Sequence, residues 1–174
     1  MKYKLTEETK EIYGCTLHRI VCVTAFASVS VGDIGGWVES ENNLSQEGNA
    51  WVYGNAKVYG DAWVYGKAKV CGNADVCGNA KVYGDAEVYG NAEVYGNAEV
   101  YGLTDFIVLK NSWSSGRHFT YTSSNKKWKV GCFYGTGEEL IAKAYKDSEL
   151  SGKCYEAAVK YVEKIERLKT ELKK

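Results

Sequence analysis

The residues best suited to bind a small molecule lie between Phe106 and Gly137, a segment that contains no acidic side chain. Five cationic side chains are interleaved there with the six aromatic ones that follow Phe106. Arginine and lysine bind phosphate groups, and flat rings stack on nucleobases. A serine-rich loop and a glycine-flanked helix start would add hydroxyl and backbone N–H donors for an anion. The segment therefore predicts a site for a small anionic, nucleotide-like ligand.

Nine residues are predicted to contact this ligand: cations would hold phosphate, rings would stack on the base, and hydroxyls would hydrogen-bond. In that order they are Arg117, Lys127 and Lys129; Trp113, Tyr121 and Trp128; and Ser114, Ser115 and Thr136. Side chains alternate along a strand, so not all nine can share one face. The alternative is a β-hairpin whose aromatic side chains are merely its core and whose lysines are solvated.

Histidine, cysteine and metal chemistry have less support in the sequence. The histidines are His18 and His118; His118, beside Arg117, could act as a general base, but a lone histidine without a recognisable partner is usually structural. There is no Cys-x-x-Cys motif, so no metal site is predicted, and no cofactor is predicted either. Cys71 and Cys77 occupy adjacent repeats and would point apart, which favours reduced thiols over disulfides.

The scaffold that must position these residues is a six-residue phrase repeated nine times from Asn49 to Gly102. Each copy reads Asn, Asp or Lys, then Ala, a variable residue, Val, Tyr or Cys, and Gly. A period of six predicts one short strand and one corner, with Ala and Val on one side and Tyr on the other. Gly followed by Asn or Asp tolerates the left-handed backbone of a corner. Three corners close a triangular coil of eighteen residues with valine inside.

Charges eighteen residues apart test this coil, because such residues would lie one above another at the strand spacing. Lysines are expected to sit over carboxylates in four places. The pairs are Lys57 and Asp75, Lys67 and Asp85, Lys69 and Glu87, and Lys81 and Glu99. The like-charged neighbours Asp75 and Glu93 are the exception.

The Ala and Val spacing, from Ala50 and Val52 to Ala98 and Val100, resembles the motif of hexapeptide-repeat, left-handed parallel β-helix proteins. The resemblance alone implies the left hand, since parallel crossovers are normally right-handed. It also implies a homotrimer with ligand sites between subunits. Many members of this family are acyltransferases that use acyl-coenzyme A and a histidine base, a role that would fall to His118. The usual histidine-bearing loop is missing from the uninterrupted repeats.

A closer resemblance covers nearly the whole chain. The phrases VGDIGGWVESENNLS, the NAxVYG array and SSGRHFTYTSSNKKWKVGCFYGTGEELIAKAY are similar to uncharacterised small proteins of phages, prophages and gut bacteria. That group carries no established activity. Phages encode compact symmetric oligomers that sequester nucleotide immune signals, so analogy of architecture implies a counter-defence sponge.

The outer faces of the coil carry aromatic columns that favour subunit contact. The tyrosine positions form columns of which one is a continuous ladder, Tyr65, Tyr83 and Tyr101. Trp51 and Trp63 are expected to point outward near the N-terminal end, where they could line a cleft between subunits or pack an interface.

The two ends of the coil are expected to be covered. Residues 2–30 predict two strands separated by the polar turn EETKEIYG, followed by an irregular first coil over GDIGGWVESENNLS. DFIVLK predicts the last coil strand, with Phe106 as its plug, and RHFTYTSSNKKWKVGCFY predicts a hairpin. Thr136 and Glu139 have capping-box spacing for a short helix. A second helix is expected from near Ser151, with Ala158, Tyr161, Val162, Ile165, Leu168 and Leu172 on its apolar face.

The balance of 22 basic and 22 acidic residues gives no global field toward nucleic acid polymers or acidic membranes. No apolar run approaches a membrane span, and MKYKLTEETKEIYG lacks the apolar middle of a signal peptide. We therefore expect a cytoplasmic protein, in the host cytoplasm if a phage encodes it.

The expected fold is mainly β: a left-handed parallel β-helix (residues 31–105) with an N-terminal β cap (1–30) and a C-terminal hairpin plus two helices (106–174). The expected function is a non-enzymatic oligomeric binding protein that holds a small anionic, nucleotide-like ligand between its subunits. The alternatives are an acyltransferase and a structural or protein-binding oligomer that inhibits a host protein.

Overall fold

The computed structural model describes residues 1–172 and is mainly β. The chain forms two compact units, Met1–Asp105 and Phe106–Lys174. The first contains a β-solenoid of about four turns, as the repeat predicts. The second contains a four-stranded antiparallel sheet and two helices.

The first unit begins with three longer strands, β1 (Tyr3–Ile12), β2 (Cys15–Cys22) and β3 (Ile34–Val38), and a 3-10 turn at Glu41–Asn43. Nine two-residue strands follow, each a variable residue and a valine. They are β4 (Trp51–Val52), β5 (Lys57–Val58), β6 (Trp63–Val64), β7 (Lys69–Val70), β8 (Asp75–Val76), β9 (Lys81–Val82), β10 (Glu87–Val88), β11 (Glu93–Val94) and β12 (Glu99–Val100).

The short strands stack in parallel into the three sides of the solenoid. Strands eighteen residues apart pair in register, as in Val52 with Val70 and Val70 with Val88. Every repeat valine is fully buried, and every repeat alanine is at most 1% exposed. Burial of this apolar row is the main stabilising term of the solenoid. The predicted inward direction of alanine and valine is confirmed.

The corners depend on glycines with left-handed backbone. Gly72 has a φ of 71°, and a Cβ atom there would lie 3.0 Å from the backbone nitrogen of Gly90. The next residue, Asn73, donates its backbone N–H to the Gly90 carbonyl at 2.8 Å. Glycine is therefore required both for the backbone angle and for the close approach of successive turns.

The four predicted charge pairs all form. Lys57 pairs with Asp75, and the Nζ atoms of Lys67, Lys69 and Lys81 lie 3.5, 3.0 and 3.5 Å from their carboxylates. The Lys57 pair is the most enclosed, with side chains 14% and 23% exposed. The others are more exposed and contribute little to stability individually.

The N-terminal strands extend one side of the solenoid. β1 and β2 form an antiparallel hairpin, β2 pairs with β3, and β3 pairs in parallel with β5. The expected polar turn EETKEIYG is wrong: most of it lies in β1, and the turn is only Tyr13–Gly14, whose φ angles are 50° and 82°. The predicted irregular first coil is confirmed, since Trp37 pairs with Lys57, twenty residues away instead of eighteen.

The expectation that Trp51 lies exposed on the outer face of the coil is wrong. Its side chain is 1% exposed and packs edge-on against Tyr3 and Phe26, at centroid distances of 6.1 and 5.5 Å. The N-terminal segment covers the outward face of β4, which the repeat pattern could not show. Trp63 is 42% exposed, as expected.

The second unit begins with four antiparallel strands, β13 (Phe106–Lys110), β14 (His118–Thr122), β15 (Lys127–Val130) and β16 (Phe133–Gly135). The predicted hairpin is formed by β14 and β15. The expectation that DFIVLK is the last coil strand is wrong, because Phe106 pairs antiparallel with Thr122. Ile107 and Leu109 instead pack against the core of the second unit.

Helices α1 (Gly137–Asp147) and α2 (Glu149–Glu171) complete this unit. The capping box predicted for Thr136 and Glu139 is present. Ser148 caps α2, so that helix begins earlier than the predicted start near Ser151.

The predicted apolar face of α2 is only partly right. The helix buries Tyr155, Val159 and Val162, whereas Tyr161 and Leu168 are 54% and 42% exposed. Leu172 is 86% exposed. The apolar side chains near the C-terminus of this helix thus extend beyond the packed core.

No helix among residues 1–172 is long and apolar enough to cross a membrane. Within the same range no disulfide joins any of the six cysteines.

Candidate functional site

A cavity of about 290 Å³ lies in the second unit, between the loop that joins β13 to β14, the turn that joins β15 to β16, and both helices. Its walls combine polar and charged groups with an apolar floor. The lining residues are Asn111, Ser114, Ser115, Arg117, Val130, Cys132, Phe133, Leu140, Lys143, Ala144, Asp147, Ser151 and Tyr155. The loop part of this wall is the segment that the sequence analysis identified.

Asn111 fixes the shape of the loop. This buried side chain accepts the backbone N–H groups of Trp113 and Ser114 through Oδ1, at 3.2 and 2.9 Å. Its amide nitrogen donates to the Ser114 hydroxyl at 2.9 Å and to the Tyr155 hydroxyl at 3.1 Å. Asparagine at the end of a strand commonly organises a turn in this way. The loop is therefore tied to α2.

The β13–β14 loop exposes the side chains of Ser114 and Ser115. Ser115 accepts the Arg117 backbone N–H at 3.3 Å, and Ser114, Ser115 and Arg117 are all exposed. The Arg117 guanidinium lies beside Gly131, where a Cβ atom would come within 3.0 Å of it. Because Gly131 has no side chain, the turn between β15 and β16 leaves space for the Arg117 guanidinium beside the cavity.

The helical wall is one stripe of α1 continued into α2. Four residues of α1 recur at the three- and four-residue spacing of a single helix face: Leu140, Lys143, Ala144 and Asp147. Ser151 continues this face in α2. Leu140 and Ala144 are buried, whereas Lys143 and Asp147 are exposed. Helix α2 begins beside Asp147, and the N-terminal end of a helix favours a negative charge.

The charged groups at the cavity are two cations and one anion. Arg117 comes from the β13–β14 loop and Lys143 from α1, and Asp147 lies one turn beyond Lys143. The apolar surface of the cavity comes from four side chains: Val130, Phe133, Leu140 and Ala144. Such a cavity suits a ligand with an acidic group and a compact organic portion.

The other predicted ligand residues lie elsewhere in the second unit. Trp128 and Tyr121 are 2% and 7% exposed and belong to the hydrophobic core, with ring centroids 5.1 Å apart. Burial, with Glu166 and Glu163 nearby, raises the pKa of Tyr121 to about 12. Trp113 is partly buried and packs edge-on against Tyr155 at 5.0 Å. These contacts match the alternative in which the aromatic side chains form the core.

The remaining polar candidates have local roles. Lys129 donates its ammonium to the carbonyl of Gly131. Thr136 caps α1, and its hydrogen bonds hold the pKa of Glu139 below the usual value. Lys127 lies opposite Thr122 on the sheet. None of these three residues lines the cavity.

His118 is placed away from the cavity lining. It is the first residue of β14, pairs with Lys110 of β13, and is partly buried. Its neighbour Arg117, in the loop that precedes β14, lines the cavity, and His118 does not.

Sequence reasoning missed the contributions of the helices. Lys143, Asp147 and Ser151 carry no motif and join the loop only through tertiary packing. Asn111 could have been found, because an asparagine that ends a strand before a serine-rich loop is a turn signal. Cys132 and Phe133 follow Gly131, whose φ of 54° marks a tight turn.

The solenoid presents a second surface, the predicted tyrosine ladder. Tyr65 and Tyr83 stack almost parallel with centroids 5.0 Å apart, and Tyr101 continues the column edge-on at 5.4 Å. Trp63 stacks on Tyr65 at 4.0 Å. The column is thus stacked from Trp63 to Tyr83 and ends edge-on at Tyr101.

Among residues 1–172 no group of histidine, cysteine, aspartate and glutamate side chains has the arrangement of a metal site.

Comparison with known proteins shows a distant similarity over part of the chain. Over 59 residues the chain is 34% identical to the uncharacterized acetyltransferase YdcK of Escherichia coli (strain K12). The matched region covers 29% of this chain and 18% of that protein. The chain thus spans less than a fifth of the relative. No family model matches the chain. Together with the solenoid, this similarity fits a hexapeptide-repeat β-helix.

Proposed function

We propose that this chain is a non-enzymatic binding protein that holds a small anionic, nucleotide-like ligand in the cavity of its second unit. The observation that supports the proposal is the convergence of Arg117 and Lys143 on one cavity from separate elements. Cations brought together from a loop and a helix, over an apolar floor, suit an acidic ligand with an organic body.

The lining residues suggest how such a ligand would be oriented. Arg117 and Lys143 would hold the acidic group, with hydrogen bonds from Ser114 and Ser115. The ring of Phe133 would contact the base or another flat portion. Asp147 would accept a hydrogen bond from an amino or hydroxyl group of the ligand.

The volume of the cavity limits the size of the ligand. At about 290 Å³ it lies at the lower end of the range for small-molecule sites. A single nucleotide or a smaller acidic metabolite is therefore the preferred class.

A homotrimer formed through the solenoid faces would give the protein several equivalent sites. Exposed rings of Trp63, Tyr89 and Tyr101 supply apolar surface for such contacts. A multivalent binder of this kind could act as a sponge for nucleotide signals, including those of host defence against phages. Mass measurement in solution tests the trimer.

Acyl transfer is the second candidate, favoured by the similarity to a protein named as an acetyltransferase. His118 would be its base, although it does not line the cavity. Incubation with acetyl-coenzyme A and amine acceptors tests this candidate. Turnover that disappears in His118→Ala would replace the binding proposal.

Thermal unfolding in the presence of nucleoside monophosphates tests the binding proposal. A ligand at a hundred times its Kd stabilises the folded state by about 2.7 kcal/mol, which a thermal shift detects easily. We expect stabilisation of the natural protein and its loss in Arg117→Gln. Lys126→Gln, which removes an exposed cation from the β14–β15 turn outside the cavity, is the matched control. Stabilisation that survives Arg117→Gln unchanged would contradict this site.

A further inference from the structure

Two cations lie over the same indole ring in the first unit. The Nζ atom of Lys10 is 4.1 Å from the centroid of the Trp37 ring, and the guanidinium carbon of Arg19 is 4.4 Å from it. Trp37 is 7% exposed, and its partner on the next strand is a third cation, Lys57. Lys10 of β1 thus lies near two other positive charges, those of Arg19 in β2 and Lys57 in β5.

The neighbouring cations have their own partners. Arg19 donates to the carbonyls of Gly35 and Gly54 at 3.2 and 2.7 Å, and its Nε lies 3.6 Å from a Glu8 carboxylate oxygen. Lys57 is paired with Asp75.

Lys10 differs from both of them. Within residues 1–172, no carboxylate lies within 4.0 Å of its Nζ, and its partner is the face of an indole. A ring face stabilises an ammonium less than a paired carboxylate does in a partly buried place. The protonated form of Lys10 is therefore poorly stabilised.

We propose that Lys10 is a modification site whose amine accepts an acyl group from small anionic acyl donors of the acyl phosphate class. The surroundings of Lys10 hold three cations, counting Lys10 itself, and two carboxylates, those of Glu8 and Asp75, and this net positive charge would attract such a donor. Lys10 is partly buried but retains solvent access, so its amine remains within reach of a small reagent.

Burial and the neighbouring cations make this amine nucleophilic near neutral pH. Burial, reinforced by Lys57 and Arg19 and opposed by Asp75 and Glu8, lowers the pKa of Lys10 to about 8. At pH 7.5 a much larger fraction of such an amine is neutral than of an ordinary lysine, whose pKa is about 10.4. Only the neutral form attacks an acyl carbon.

Lys2 shows that a lowered pKa is not sufficient unless the amine is also accessible to the acyl donor. Burial lowers the pKa of this residue to about 8 as well. Its side chain, however, is only 5% exposed, and its ammonium donates to the Ala50 carbonyl at 2.8 Å. We therefore expect Lys2 to stay unmodified while Lys10 reacts.

The proposed step transfers an acetyl group to nitrogen and a proton to phosphate. The Lys10 amine attacks the carbonyl carbon of acetyl phosphate, an amide N–C bond forms, and the C–O bond to phosphate breaks. The amine proton leaves with the phosphate as hydrogen phosphate. The product is a neutral amide, which removes one of the three clustered positive charges.

Site-resolved mass spectrometry of the full chain after incubation with acetyl phosphate at pH 7.5 tests the proposal. Lys69 is the internal reference, because it is exposed and a hydrogen bond from its ammonium to Glu87 raises its pKa. We expect Lys10 to acetylate at least about tenfold faster than Lys69. Equal rates at the two lysines would overturn the proposal.

A matched pair of variants separates electrostatic activation from simple exposure. Lys57→Gln removes a like charge and frees Asp75, and both changes favour the protonated form of Lys10. Acetylation of Lys10 should then slow severalfold. Lys81→Gln, which breaks the equivalent pair with Glu99, should leave the rate at Lys10 unchanged. A rate at Lys10 that is the same in both variants would also refute the proposal, provided that both retain the natural unfolding temperature.

Discussion

The amide nitrogen of Asn111 donates a hydrogen bond of 3.1 Å to the hydroxyl of Tyr155, and this bond joins the β13–β14 loop to helix α2. Asn111 is 3% exposed, and both residues line the cavity of the second unit. The loop that carries Ser114, Ser115 and Arg117 is thus held against the helices by a buried polar contact. The geometry of the candidate site depends on it.

Replacement of Asn111 should loosen the loop and weaken the site. Asn111→Ala removes hydrogen bonds to two backbone N–H groups and two hydroxyls, and we expect a loss of about 2–3 kcal/mol in the free energy of unfolding. Urea unfolding measures this loss. Tyr155→Phe removes only one of these bonds and should cost about 1 kcal/mol. Equal costs for the two variants would show that Asn111 does not organise the loop.

Two corner glycines of the solenoid should differ in their tolerance of alanine. Gly72 and Gly90 have φ angles of 71° and 68°, so alanine is strained by about 1 kcal/mol at either position. At Gly72 the added Cβ also meets the Gly90 backbone at 3.0 Å, whereas at Gly90 nothing lies within 4 Å. Gly72→Ala should therefore lower the unfolding temperature more than Gly90→Ala does. The reverse order would contradict the stacking of these turns.

The free energy of unfolding should rise between about pH 7.5 and 9. Burial lowers the pKa values of Lys2 and Lys10 to about 8, from 10.5 for an ordinary lysine. In this window the unfolded chain binds more protons than the folded chain, so stability increases with pH. Urea unfolding under reducing conditions measures the trend, and Lys10→Gln should make it shallower.

Above about pH 9 the trend should reverse. Burial raises the pKa values of the Cys15 and Cys71 thiols above 9.0, and those of Tyr3 and Tyr59 above 10.0. The folded chain then holds protons that the unfolded chain loses, and stability falls with pH. A stability that declines steadily from pH 7.5 would mean that the two lysines keep ordinary pKa values.

Much of the first unit follows from the sequence, because its contacts repeat with the sequence period. The burial of Val76 and the pairing of Lys69 with Glu87 require only that every turn contains eighteen residues. The burial of Trp51 breaks this rule, since Tyr3 and Phe26 cover it from outside the repeat.

The candidate site follows from the sequence only in part. The loop residues Ser114, Ser115 and Arg117 form a local cluster of suitable chemistry, and they line the cavity. Lys143 and Ser151 reach it only because α1 and α2 pack against the sheet, a long-range contact without a local signal. Trp128 has the chemistry of a stacking residue, but the same helices bury it in the core.

Capture of small molecules tests the binding proposal most directly. The full chain would be incubated with a metabolite extract and separated by gel filtration, and the molecules released on denaturation would be identified by mass spectrometry. We predict that an acidic metabolite of nucleotide size or smaller is retained by the natural protein and by Lys126→Gln, and is lost from the double variant Arg117→Gln with Lys143→Gln. Retention of no acidic metabolite, or equal retention by the folded double variant, would contradict the account.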